Sequence, residues 1–212
     1  MKRINLRPKT HGLQFTSNWV SRHIPTWQKY LKSQRGRRGL QFLEIGSWEG
    51  RSACWFLQNI LTHRTSRIVC IDTFQGAPDE LKLHKHLRDA IGSIEQHFDH
   101  NIRFIGAKKK VRKIKGSSRV ALRLLQANSF DLIYIDGSHL AGDVLLDAAL
   151  CWDLLKKGGI MIFDDYRWKC VTNKRNPLLS PRLAIDVFRS LFRDRIKILS
   201  VGTQVILKKI AS

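Results

Sequence analysis

The sequence predicts an α/β domain whose mostly parallel sheet carries helices on both faces. Three observations predict it. From Leu40 onward, short apolar runs alternate with segments of helical spacing, as a strand–helix repeat requires. Ile160-Met161-Ile162-Phe163 is apolar at every position, as a central parallel strand covered on both sides must be. The acids and glycines at Glu44, Asp72, Gly116, Asp136 and Asp164 fall at the carboxyl ends of the expected strands, where sheets of this class bind ligands.

The elements follow in order. Residues 1–39 form a basic N-terminal helical segment with Phe15, Trp19, Ile24, Trp27, Tyr30 and Leu31, enough apolar surface to dock on a domain as a lid or an arm. Ser33 to Gly39 reads as a linker, and residues 40–212 form the domain proper. Leu40 to Ile45 is a strand ending in a glycine turn, and a helix is expected from Arg51 to Leu61. Arg67 to Asp72 is a buried strand. Residues 79–100 carry Leu81, Leu87, Ile91, Ile94 and Phe98 near helical spacing. Val111 to Lys115 alternates as a strand, Arg119 to Leu125 as a helix, and Phe130 to Ile135 as a strand that stops at Asp136. A helix from Asp143 to Leu155 should end in a cap at Lys156-Lys157-Gly158-Gly159. Pro181 begins a helix to Phe192. Ile196 to Val201 and Gln204 to Leu207, around Gly202-Thr203, make a C-terminal hairpin.

Composition narrows the function classes. At 43% hydrophobic, 212 residues can bury a core, and no apolar run is long enough to span a bilayer, which takes about 20 residues. The basic start lacks a following apolar stretch, which argues against a secretory signal. Cys54, Cys70, Cys151 and Cys170 are scattered without a C-x-x-C pair, so a reducing, cytoplasmic setting is expected and disulfides or a zinc knuckle are not. The formal charge is +21 and unevenly placed. Residues 1–39 hold ten basic and no acidic side chains, and residues 101–130 hold nine and none. Such clusters fit a polyanionic partner or a solvated face equally well.

The chemistry begins at Glu44-Ile45-Gly46-Ser47-Trp48-Glu49-Gly50-Arg51-Ser52. Glycines at a strand-to-helix turn let a ligand approach the backbone, and the helix start offers free N–H groups to an anion. Asp72, ending the next strand, can accept from ribose hydroxyls. A dinucleotide fold would want G-x-G-x-x-G, but Ser47 and Trp48 occupy that spacing and Glu44 precedes it. A nucleoside bearing an amino acid suits the turn better than one bearing a pyrophosphate.

On these residues the chain resembles the class I S-adenosylmethionine-dependent methyltransferases, and among them the catechol and macrocin O-methyltransferases. Leu43 to Ser52 is similar to their first motif, Cys70-Ile71-Asp72-Thr73-Phe74 to the second, Phe130 to His139 to the fourth-strand motif, and Leu155 to Tyr166 to the fifth. The resemblance covers roughly residues 40–210. It implies a Rossmann-like, seven-stranded, mostly parallel sheet with an antiparallel C-terminal hairpin strand. It implies S-adenosylmethionine as cofactor, with Gly46 and Gly50 bringing the backbone close, Ser47 and Trp48 in the same loop, and Ser52 on the methionine carboxylate. Glu44 would order the turn or the methionyl amine, Asp72 with Thr73 would meet the ribose, and Ser117 and Ser118 would lie near the adenine. The acidic neighbour usual there is absent, since Arg119 follows.

A second set is Asp136, His139, Asp164 and Asp165. Carboxylates converging at neighbouring strand ends repel one another unless something positive lies between them, and oxygen ligands favour a hard cation such as magnesium. In the resembling metal-dependent enzymes, acids at these positions hold the metal, which implies Asp136, Asp164 and Asp165 as ligands. Consecutive Asp164 and Asp165 reach one ion only if the chain turns there. Asp136 and His139 are the candidate catalytic residues, with His139 as general base toward an acceptor hydroxyl.

Other groups read as structural. His84, His86, His97 and His100 are expected at the surface, with a substrate-facing histidine as the alternative; Trp19, Trp27 and Phe15 are read as packing. Cys54, Cys70 and Cys151 are read as small core hydrophobes. The leading functional reading is metal-assisted O-methylation of a small molecule or saccharide. An RNA-directed methyltransferase, or a non-catalytic RNA-associated protein of the same fold, is the alternative that the basic stretches raise. Homo-oligomerisation is left open.

Overall fold

A computed structural model describes residues 12–76, 85–170 and 173–211. Five strands, β1 (Gln41–Ile45), β2 (Arg67–Asp72), β3 (Val111–Lys115), β4 (Phe130–Ile135) and β5 (Leu155–Phe163), run parallel. β6 (Ile196–Val201) and β7 (Val205–Lys209) complete one sheet of order β3-β2-β1-β4-β5-β7-β6, in which β7 runs antiparallel to both neighbours. The order reverses between β1 and β4, so their carboxyl ends flank the crevice where such sheets take ligands.

Helices cover both faces. On one lie α1 (Ile24–Leu31), α2 (Arg51–Asn59) and α4 (Ile94–Phe104), which the short α3 (Lys85–Ala90) precedes in the chain; on the other lie α5 (Ser118–Ala121), α6 (Ala141–Leu154) and α7 (Pro181–Leu191). The first core gathers Trp27, Leu31, Phe42, Trp55, Phe56 and Phe98, and the second Ile133, Ala148, Trp152, Phe163, Ile185 and Phe188. Trp27 is fully buried, with ring centroids 4.7 Å from Phe56, 5.1 Å from Trp55 and 5.5 Å from Tyr134. Its indole N–H donates to Gln204 Oε1 at 2.8 Å. The segment before β1 is therefore fastened into the sheet's core through α1. All four cysteines are buried.

Three local expectations change. Lys156 to Gly159 is not a helix cap. The backbone of Leu155 is already extended, and Leu155 pairs with Phe130 of β4 before the register shifts to Leu132 opposite Ile160. Pairing with a distant strand overrides the local glycine signal. The helix expected over 79–100 is divided: a 3₁₀ turn at Ile91–Ser93, containing Gly92, separates α3 from α4, and α4 continues to Phe104. Glycine and serine are poor helix interiors. Residues 79–84, with Leu81 and His84, lie outside the described residues, as do the side chains of His86 and Leu87. The helix expected over 119–125 is α5 followed by a 3₁₀ turn at Leu122–Leu124.

Candidate active site

The glycine turn after β1 is fixed by its neighbours. Gly46 has φ +81°, and a Cβ there would stand 2.0 Å from the Asp136 carbonyl oxygen, so only glycine lets the ends of β1 and β4 close together. Gly50, φ +77°, sits before α2 with Phe98 2.9 Å from where its Cβ would be; it serves the packing of α4. Trp48, Phe74 and Asp165 hold positive φ without being glycine, each just past the carboxyl end of β1, β2 or β5. Left-handed backbone on such residues costs of order 1–3 kcal/mol each and gathers at functional sites. Asp72 helps to hold two of them, accepting from Trp48 N–H at 2.7 Å and Phe74 N–H at 2.6 Å. Burial raises the Asp72 pKa, and these amides oppose the rise.

Three hollows meet at Gly46. The inner one, about 40 Å³, is lined by Ser47, Glu49, Ser52 and Tyr134. The second, about 190 Å³, is lined by Asp72, Thr73, Gly116, Ser117 and Ser118. The third is a cleft of about 280 Å³ lined by Trp19, Arg22, Asp136, His139, Asp165 and Trp168. Beside the inner hollow Glu44 is fully buried, and burial pushes its carboxyl up to about 7 against the lowering influence of Ser52, Ser47 and Cys70. Glu44 Oε1 and Ser47 Oγ close no hydrogen bond of normal geometry among the described residues, and the same holds for Trp48 Nε1. Buried polar atoms in that state call for a partner. A ligand with an ammonium and hydroxyl groups would supply one, so these residues fit the cofactor that the resemblance implies.

Two acids left out of the sequence reading of the site come from another element. Asp143 and Asp147 of α6 line the second hollow beside Ser117 and Ser118. Burial pushes Asp147 up to about 6. The helical spacing of the two acids put them on one face, but only the packing of α6 over β4 aims that face at the hollow.

The acids of the third hollow are brought together, with protein donors among them. Asp164 Oδ1 accepts from Asp165 N–H at 2.7 Å, and Oδ2 accepts from Gln204 Nε2 at 2.9 Å and from the Tyr134 hydroxyl. Asp165 Oδ1 faces the Arg22 guanidinium at 3.3 Å and Oδ2 faces His139 Nε2 at 3.1 Å. Tyr134 Oη also lies 2.9 Å from Asp136 Oδ2. One hydroxyl proton cannot serve both carboxylates, so Asp136 is the group to hold a second proton. Its pKa is raised well above the carboxylate range by burial and by the charges of Asp164 and Asp165. Arg22 Nε donates to His23 Nε2 at 2.9 Å, which makes His23 an acceptor and hence neutral; burial lowers its pKa in the same sense. Arg22 is thus the fixed positive charge beside these acids.

The three acids that the resemblance implies as magnesium ligands, Asp136, Asp164 and Asp165, line one cleft. Among the described residues, no group of three or more His, Cys, Asp or Glu is arranged to hold a metal ion. Asp164 and Asp165 turn their oxygens toward Tyr134, Gln204, His139 and Arg22. The positive φ of Asp165, +55°, supplies the turn between the two acids and aims Asp165 at His139. His139 stacks on Trp168, ring centroids 4.1 Å apart.

Several sequence assignments shift. Trp27 and Phe15 pack as expected, but Trp19 is 40% exposed, lines the cleft and leans on Trp48 at 5.8 Å. His97 faces buried Glu49 at 2.8 Å and His100 faces the Gly12 carbonyl at 2.9 Å, so both fasten neighbouring structure. Arg22, His23, Tyr134, Gln204 and Trp168 were missed. Trp168 and Tyr134 lie close in sequence to motif residues that they touch, Asp165 and Asp136; Arg22, His23 and Gln204 reach the acids through the fold.

The chain belongs to the methyltransferase domain family, whose model matches residues 43–166. An uncharacterised protein, R132 of Acanthamoeba polyphaga mimivirus, is 29% identical over 136 residues, 61% of this chain and 54% of that protein. The chain thus spans about half the length of this curated relative. Among solved structures, the O-methyltransferase TomG of Streptomyces achromogenes, in complex with S-adenosylmethionine, is 17% identical with a TM-score of 0.63, covering 88% of this chain and 80% of that one. An O-methyltransferase of Bacillus cereus bound to S-adenosylhomocysteine is 18% identical with a TM-score of 0.63, covering 92% and 84%. These likenesses establish a Rossmann-like methyltransferase fold. Among the described residues no helix is long and apolar enough to cross a membrane.

Proposed function

We propose that the chain is an S-adenosylmethionine-dependent O-methyltransferase acting on a hydroxyl of a small molecule or saccharide. The observation that carries the reading is the meeting of three hollows at Gly46, two bordered by buried polar groups and the third by a histidine–aspartate pair. Glu44, Ser47 and Ser52 would hold the amino-acid end of the cofactor, Asp72 and Thr73 the ribose, and Ser117, Ser118 and Asp147 the region of the base. When bound, the cofactor supplies an electrophilic methyl group on a sulfonium.

The protein's own part is to bind and to move a proton. His139 stands in the cleft with its ring held by Asp165 and by Trp168, so one nitrogen is oriented by the carboxylate. His139 is the candidate base toward an acceptor hydroxyl, a role worth on the order of 10²–10⁴-fold. Asp164 adds negative potential at the end of the cleft, which favours a cationic donor. Arg22 and the His139–Asp165 pair take the place in this reading that the divalent cation holds in the resembling enzymes. Trp19 and Trp168 offer flat apolar walls for a ring-bearing acceptor.

The test is a panel of catechols, phenols and sugars incubated with protein, S-adenosylmethionine and chelator, with products read by mass spectrometry. A methyl ether from at least one acceptor, lost in His139→Ala, is expected. Methylation at nitrogen, or transfer to oxygen untouched by His139→Ala, would overturn the assignment.

A further inference from the structure

We propose that the amino end of the sheet, opposite the cleft, binds the phosphodiester backbone of a nucleic acid. The parallel topology is what creates this surface. Because β1, β2 and β3 run the same way, the segments that precede them emerge at one end. Those segments carry much of the unpaired positive charge: Arg37 and Arg38 before β1, Arg64 before β2, and Lys108 and Lys109 before β3 are all exposed. β6 also enters from this end, through two successive antiparallel pairings, and brings Arg195 and Lys197, likewise exposed.

The structure sorts the basic run at 108–115 into two groups. Lys113 lies 2.8 Å from both Glu95 and Asp99, and Lys115 lies 2.6 Å from Glu95, so those two are neutralised against α4. Lys108, Lys109 and Arg112 meet no carboxylate among the described residues. A groove of about 400 Å³ opens between the starts of the strands, with Arg67, Lys109, Lys110 and Arg112 at its sides, Gln41, Gln126 and Ser129 among its lining, and apolar side chains such as Leu125 and Phe130 between them. Arg67 is held from behind by the Arg64 and Ser66 carbonyls, at 2.7 and 3.0 Å, and so is positioned without being neutralised. Burial and then the charge of Arg67 lower the pKa of Lys110, as expected where cations crowd with no anion between them. The local acid, Asp131, is engaged by Lys156 at 2.9 Å.

Cations spread over three successive loops and a groove match a chain of phosphates better than one small anion, which would use a single pair. A groove flanked by cations, with apolar side chains between them, suits a single strand, whose phosphates meet the cations and whose bases meet the apolar lining, better than a flat lipid surface. The groove has no residue in common with the cleft. Polymer binding and methyl transfer therefore occupy separate ends of one sheet, and the inference stands independently of the acceptor.

The test is fluorescence anisotropy of the full chain with labelled oligouridine and, separately, oligothymidine across a salt series. Saturable binding is expected, weakening steeply with salt. In Arg67→Gln/Lys109→Gln/Arg112→Gln the affinity should fall at least tenfold and the log–log salt slope should flatten by about 2, since each contact contributes roughly 0.7 for a single strand. A matched control, Lys169→Gln/Lys174→Gln/Arg175→Gln, removes the same charge elsewhere and should lose less than threefold. Circular dichroism and melting of both variants check the fold. Binding to either oligonucleotide with this asymmetry supports the proposal, and the preferred probe identifies the nucleic acid. Equal losses in the two variants, binding to neither oligonucleotide, or binding only to phosphatidylserine vesicles would overturn it.

Discussion

Replacing Gly46 by alanine isolates the contact that brings β1 and β4 together. Two costs arise. The first is the left-handed backbone, φ +81°, worth about 1–2 kcal/mol for a residue with a Cβ. The second is the clash: the new Cβ would stand 2.0 Å from the Asp136 carbonyl oxygen and 2.6 Å from Gly137 Cα, both backbone atoms that no rotamer change can move. Overpacking of this kind costs about 1–3 kcal/mol. Gly39→Ala supplies the internal control, because its φ is +72° and its Cβ would meet nothing within 4 Å. Gly39→Ala should therefore lose about 1–2 kcal/mol, and Gly46→Ala about 1–3 kcal/mol more. Urea unfolding by circular dichroism, with unchanged m-values, measures both. Gly46→Ala should also weaken S-adenosylmethionine binding, since the displaced Asp136 loop borders all three hollows. Equal stability losses in the two variants would refute the close-approach argument.

Other perturbations follow the same logic. The Glu44 carboxyl is raised to about 7 from an ordinary 4.5, so the folded state holds a proton that the unfolded state releases between those values. Stability from this group is therefore full at acid pH and falls as pH rises toward 7. Glu44→Gln removes the dependence: the stability of wild type relative to the variant should drop by roughly 3 kcal/mol from pH 4 to pH 8, and a flat difference would contradict the burial argument. Asp165→Asn keeps the left-handed turn, which asparagine tolerates, but takes the carboxylate from His139; turnover should fall by about 10²–10⁴ with the alkaline plateau of the pH profile altered, and an unchanged profile would remove Asp165 as the positioning residue. Trp27→Ala empties a fully buried indole site and should cost about 3–5 kcal/mol in urea unfolding. A loss below about 1 kcal/mol would mean that α1 is not part of the cooperative core.

Much of the fold was legible because it rests on local pattern. The strands at 67–72, 111–115 and 130–135 fall where continuous or alternating apolar runs place them, and their ends carry Asp72 and Asp136. The failure at Lys156 to Gly159 shows the limit: two lysines and two glycines look like a cap until Leu155 pairs with Phe130. At the site, Asp136, His139, Asp164 and Asp165 were legible as a group, since parallel strands deliver their ends to one edge. Their chemistry was not. Three converging carboxylates ask for positive charge, and the sequence offers no means of telling a metal from a guanidinium 143 residues away at Arg22. Gln204 reaches Asp164 only because β7 lies beside β5. Tyr134 looked like one more apolar strand residue, yet its hydroxyl is the donor between two acids.

The central claim is a cofactor cradle at the ends of β1 and β2 built from this chain's own residues. Calorimetric titration with S-adenosylmethionine, in chelator and again in magnesium, tests it most directly, with Asp72→Asn alongside. Saturable binding of equal affinity in both buffers is predicted, weakened roughly 10- to 100-fold in the variant by loss of a charge-assisted hydrogen bond. No binding to folded protein, or binding that requires magnesium, would contradict it.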